Sequence, residues 1–163
     1  MTEKTILYQN SGVFYRIIGE GKTVVLIHGF AEDGDIWNNQ VSFLKDQFRL
    51  IIPDMPGSGR SELIAGANIE TYAEVIKQIL DTEAQKGPVH EVGMTNTTGS
   101  KYASHPALET GDQVALIGHR MGGYITLAFA ENYPEYLNSF GLFHSTAFAD
   151  NEEKNTDRTK AID

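Results

Sequence analysis

The sequence predicts an α/β fold, a three-layer sandwich with helices on both faces of a mostly parallel sheet. Residues 23–27, 49–53 and 113–118 are short apolar runs without alternation, as expected of strands buried on both faces. The segments between them carry apolar residues at helical spacing. Strand-like and helix-like segments also take turns along the chain, the signature of a parallel sheet with crossover helices.

The elements follow in order. Residues 6–8 and 13–18 are β-rich runs, and Asn10-Ser11-Gly12 between them reads as a hairpin turn. Gly19-Glu20-Gly21-Lys22 is a second turn, leading into the buried strand at 23–27. His28-Gly29-Phe30 ends that strand; Trp37, Val41, Leu44 and Phe48 then recur at helical spacing, with Asp35 as N-cap. The strand at 49–53 gives way to a glycine-bearing loop, residues 54–61. Ile69, Tyr72, Ala73, Ile76, Ile79 and Leu80 form a helical stripe behind an Asn68 cap. Residues 84–112 lose the rhythm and read as an irregular inserted segment within a single domain spanning 1–163. A strand at 113–118, a helix at 122–133 stopped by Pro134, and a fourth apolar strand from Ser139 to His144 complete the pattern.

Composition narrows the function. The chain has 163 residues and a formal net charge of −9, which disfavours nucleic acid and anionic membrane surfaces as partners. It contains no cysteine, so disulfides and thiolate chemistry are excluded. No run approaches the roughly 20 apolar residues of a membrane span, and the N-terminus lacks a signal-peptide pattern; a cytoplasmic location is expected. No metal or other cofactor is implied.

Three motifs agree in order and spacing. Val24-Val25-Leu26-Ile27-His28-Gly29-Phe30 is a strand ending in a His-Gly turn. Residues 53–61, Pro-Asp-Met-Pro-Gly-Ser-Gly-Arg-Ser, form a glycine loop after the next strand. Residues 114–123 run from a strand into Gly118-His119-Arg120-Met121-Gly122. Together they resemble the α/β-hydrolase fold family of serine esterases and acyl hydrolases, over residues 5–83 and 113 to about 150. The resemblance implies a nucleophile elbow built on Gly118, His119 and Gly122. It also implies an oxyanion hole formed by the backbone N–H groups of Phe30 and Met121, and a reaction through an acyl-enzyme.

Two departures set this chain apart. The elbow position that carries serine in the family carries Arg120, whose guanidinium stays protonated and cannot attack an acyl carbon. Ser58, Ser61, Ser139 and Ser145 lie off the elbow. The family's acid and histidine follow the elbow on late strands; here the last strand-like run ends at His144, and neither His144 nor Asp150 inherits a triad role. The expected architecture is a truncated α/β-hydrolase fold lacking the last strands. No catalytic residue is therefore assigned, and impaired or absent activity is expected.

The other chemistry-bearing residues read as structural. His28 sits at a strand end, and His119 packs beside the elbow. Asp54 reads as a turn-forming carboxylate, and Gly57-Ser58-Gly59 as a simple turn that lacks the lysine of a phosphate loop. Trp37 reads as core. His90, His105 and His119 match no metal-ligand spacing. Past Asp150 the chain is charged and reads as a solvated helix face or as disorder.

Three functions compete: a hydrolase working in an unexpected way on a small acyl ligand, a non-catalytic relative binding a small anion or carboxylate at Arg120, and a fragment or engineered variant of a hydrolase. The apolar strand at 139–144, with Phe140, Leu142 and Phe143, would form an open edge, and self-association through it, or marginal stability and aggregation, is expected.

Overall fold

The structure, a computed structural model, describes residues 1–84 and 113–147. Its centre is a six-stranded sheet in the order β1-β2-β4-β3-β5-β6. Strands β1 (Thr2–Tyr8) and β2 (Ser11–Ile18) form an antiparallel hairpin. β2 pairs antiparallel with β4 (Phe48–Pro53). From there β4, β3 (Lys22–Ile27), β5 (Val114–His119) and β6 (Leu137–Phe143) run parallel. The predicted α/β class and its mostly parallel sheet are therefore correct.

β3 and β4 are buried on both faces over Val24–Ile27 and Leu50–Pro53, whereas β5 alternates buried with half-buried residues. Val25, Ile27, Ile51 and Leu116 point into the larger core, which is covered by α2 (Ile69–Ala84) and α3 (Met121–Asn132). Val24, Leu26, Leu50 and Ile52 face the opposite way, onto Trp37 and helix α1 (Asn38–Leu44). Trp37 is core, as the sequence suggested. Helix α2 opens on Asn68, whose side chain accepts from the Thr71 N–H at 2.8 Å. Aromatic packing of Phe129, Tyr133 and Tyr136 and a Tyr136–Asp81 hydrogen bond hold the end of α3 against α2.

Several boundaries move. The hairpin turn is Gln9-Asn10 rather than Asn10–Gly12: both residues have positive φ, 49° and 68°, as a two-residue type I′ turn requires, and Ser11 and Gly12 pair within β2. The cap before Trp37 is Asp33, not Asp35. The Asp33 side chain accepts from Asp35 N–H and starts a short 3-10 turn over Gly34–Trp37. Phe48 belongs to β4, because α1 stops at Leu44. Helix α3 ends at Asn132; Pro134 opens a 3-10 turn whose exit places β6 at Leu137–Phe143 instead of 139–144.

The irregular segment at 84–112, with His90 and His105, and the polar stretch from Asp150 lie outside the described residues, apart from Ala84. Among the described residues β6 is the sheet edge opposite β1, with Phe140 half-exposed. No helix among them is long and apolar enough to cross a membrane.

Candidate active site

After β3 the chain crosses to β4 on one side, whereas β5 lies on the other. The carboxyl ends of β3 and β5 thus flank the topological switch point, where open parallel sheets bind their ligands. Two turns meet there: the His28–Phe30 turn leaving β3, and the elbow between β5 and α3.

The elbow is one residue long. β5 ends at His119 and α3 begins at Met121, so Arg120 alone reverses the chain, with φ 51° and ψ −113°. Such a conformation costs a residue with a side chain on the order of 1–3 kcal/mol. The surrounding contacts fix it. Arg120 N–H donates to the Phe143 carbonyl at 3.1 Å, and its own carbonyl accepts from Gly123 N–H at 2.9 Å and from Ser145 Oγ at 2.8 Å. The glycines beside it allow backbone to lie on backbone. A Cβ on Gly118 would stand 2.1 Å from the Gly122 oxygen, and one on Gly122 would stand 2.5 Å from the Ile27 oxygen.

The facing turn is equally constrained. Met55 N–H donates to His28 Nε2 at 2.8 Å, and His28 Nδ1 lies 2.7 Å from the Gly29 oxygen. An amide can only donate, so Nε2 is bare and Nδ1 carries the proton. Burial holds the imidazole below its usual range, although the neighbouring carboxylates oppose this. Both ring nitrogens are engaged, and His28 ties the end of β3 to the end of β4. Gly29 reaches the elbow: a Cβ there would lie 3.1 Å from Arg120 Cβ. Phe30 follows with an exposed ring.

Glu32 joins the two turns, and the sequence reading missed it. Its Oε2 accepts from Gly29 N–H at 2.8 Å and lies 2.8 Å from His119 Nδ1; its Oε1 is 3.4 Å from an Arg120 guanidinium nitrogen. Burial pushes the Glu32 carboxyl up. The His119 and Gly29 hydrogen bonds and the nearby positive charge outweigh that, and the carboxyl sits below its ordinary value. The one sequence signal was an acid three residues past a Gly turn that faces a cationic elbow. His119 completes the cluster by packing against Trp37, Phe143 and His144.

The remaining candidates sit elsewhere or serve structure. Asp54 accepts from Gly34 and Arg60 N–H groups, each at 2.9 Å, and braces two loops. Ser61 Oγ donates to the Asp54 carbonyl and accepts from Phe14 N–H. Ser139 Oγ bonds Asn138. Ser58 lines an open depression beside Glu32 and Asp33, away from the elbow residues.

This arrangement has known counterparts. The family profile described as alpha/beta hydrolase fold matches residues 22–92. A thermophilic esterase from Thermogutta terrifontis superimposes with a TM-score of 0.74 at 25% identity, over 98% of this chain and 52% of that one.

This is an α/β-hydrolase fold.

Within that fold the chain is 40% identical over 82 residues to a pimeloyl-[acyl-carrier protein] methyl ester esterase of Methylococcus capsulatus, covering 50% of this chain and 30% of that protein. It is 27% identical over 105 residues to the Vibrio cholerae enzyme of the same name, covering 64% of this chain and 38% of that one. The chain spans roughly a third of the length of these curated relatives. The chain thus has the α/β-hydrolase fold, is similar to esterases over the matched residues, and turns its elbow on an arginine.

Proposed function

We propose that this chain is an esterase-type α/β-hydrolase scaffold in which serine-nucleophile hydrolysis is lost. One observation carries the reading. The residue lifted to the elbow, in the strained conformation that exposes a side chain over the helix N-terminus, is Arg120. A guanidinium has no lone pair to offer an acyl carbon, and this one is turned toward Glu32. The Ser145 hydroxyl beside the elbow donates its proton to the Arg120 carbonyl, and no described histidine bonds to it as a base.

A second reading has an observation of its own. The Arg120 side chain is 64% exposed and stands at the first turn of α3, where a cation and a positive helix end favour a small anion. Binding of a carboxylate or phosphate then replaces catalysis.

Hydrolysis of a short chromogenic acyl ester tests the first reading, once intact mass confirms arginine at position 120. The expected result is no turnover above the buffer rate. Turnover well above it refutes the reading, and its loss in Ser145→Ala would then identify the nucleophile.

A further inference from the structure

We propose that the donors at the elbow form a carboxylate-binding site, and that Glu32 fills it from within the chain as a resident ligand. The inference rests on the reading that the elbow carries a cation in place of a nucleophile.

The donors come from three separate pieces of the fold. Gly29 N–H belongs to the turn after β3, His119 Nδ1 to the end of β5, and the guanidinium to the elbow. They converge on one carboxylate: Oε2 takes the first two at 2.8 Å each, and Oε1 faces the third at 3.4 Å. A carboxylate below its usual pKa is ionised and only accepts, so His119 presents Nδ1–H to it. Charge-assisted bonds of this kind are what recognise a free carboxylate. None of the three donors requires that the acceptor be tethered.

Shape and access agree. Gly29 leaves room for the bound group, since a Cβ there would lie 2.7 Å from Oε2. The site lies at the switch point between β3 and β5. Its Arg120 side is open to solvent while the Glu32 side chain is only 18% exposed, so a ligand can enter over the arginine and reach a half-buried seat. Glu32 is three residues from Gly29. A short tether raises the local concentration of its carboxylate to the millimolar range or above, and the intact chain therefore resists external carboxylates of ordinary concentration. The ligand class is small monocarboxylates, with acetate as the probe.

The experiment titrates sodium acetate, against sodium chloride at equal ionic strength, into Glu32→Ala and wild-type protein. Amide NMR shifts near Gly29, His119 and Arg120 and the melting temperature are followed. Acetate is expected to bind Glu32→Ala at least about tenfold more tightly than wild type, to saturate, and to raise its melting temperature where chloride does not. The tightening should vanish in Glu32→Ala with Arg120→Ala. It should also be absent in Glu32→Gln, whose amide still fills the seat. If alanine leaves the chain unfolded, Glu32→Ser is titrated in the same way. Refolding by acetate supports the site, and a variant that acetate does not refold counts against it. Equal acetate response in wild type and Glu32→Ala, or full tightening without Arg120, overturns the inference. Ester turnover by wild type would instead undo the underlying reading and leave the acetate titration to be judged separately.

Discussion

Replacing Glu83 by alanine should lower the melting temperature by about 6–12 °C. Glu83 lies in the last turn of α2 with a side chain only 4% exposed. It accepts from Lys4 Nζ at 2.8 Å, Arg49 at 2.7 Å and the Tyr15 hydroxyl at 2.7 Å, so one carboxylate joins β1, β2, β4 and α2. Breaking a buried ion pair by removing one partner costs about 3–5 kcal/mol. Lys4 and Arg49 are 24% and 27% exposed and partly regain water, which selects the lower end, about 3 kcal/mol. At about 2–4 °C per kcal/mol for a chain this long, the quoted shift follows.

The pH dependence carries a sign. Burial raises the Glu83 carboxyl pKa, but hydrogen bonds from Lys4 and Tyr15 and the charges of Lys4 and Arg49 bring it below the ordinary value of 4.5. A depressed folded pKa stabilises above the unfolded value and is lost as pH falls through the folded one. Wild type should therefore lose stability below about pH 4.5 more steeply than Glu83→Gln. Thermal melts by circular dichroism from pH 7 to pH 3 measure both. A Glu83→Ala melt within about 2 °C of wild type at pH 7 would refute the reasoning, as would identical acid slopes. The exposed Glu3–Arg60 pair is the control, and Glu3→Gln should leave the melt in place.

Gly118→Ala should cost about 3 kcal/mol, the upper end for overpacking, because its Cβ would meet backbone at 2.1 Å. Gly141→Ala, whose Cβ would find nothing nearer than 3.8 Å, should be neutral or stabilising in the same melts. Arg120→Gly relieves a positive φ and gives up only an exposed ion pair; it should be neutral or up to about 1 kcal/mol stabilising, and a loss larger than that would show that the guanidinium holds the elbow together. Concentration-dependent self-association through β6 is expected in light scattering and should weaken in Phe140→Lys; a monomer at high concentration would refute it.

The sheet was legible because β3 and β4 are buried on both faces, and such strands write themselves as unbroken apolar runs; β5 is half-buried on one face and reads apolar all the same. The elbow was legible for a related reason: Gly118 and Gly122 are forced by backbone contact, and that leaves a spacing in the chain. Boundaries set by hydrogen bonding were not. Whether Asp33 or Asp35 caps depends on which side chain faces the free N–H groups, and both are acids. Gln9-Asn10 turns the hairpin because the β1–β2 register places Ser11 opposite Tyr8, which composition does not record. Glu32 escaped notice because its partners His119 and Arg120 lie 87 and 88 residues away, and no local pattern reports such a contact.

The strand order also dictates a sequence of events. β1, β2, β4 and β3 all lie within the first 53 residues and form a contiguous block of the sheet. β5 can join only by pairing Val24–Ile27 with Ala115–Gly118, across more than 80 intervening residues. Pairings this distant close late and slowly. Until they close, β3, with its apolar run Val24–Ile27, is the exposed parallel edge of the block. A nascent or partly unfolded chain is therefore most vulnerable to misassociation at Val24–Ile27, in one of the two central strands of the finished sheet.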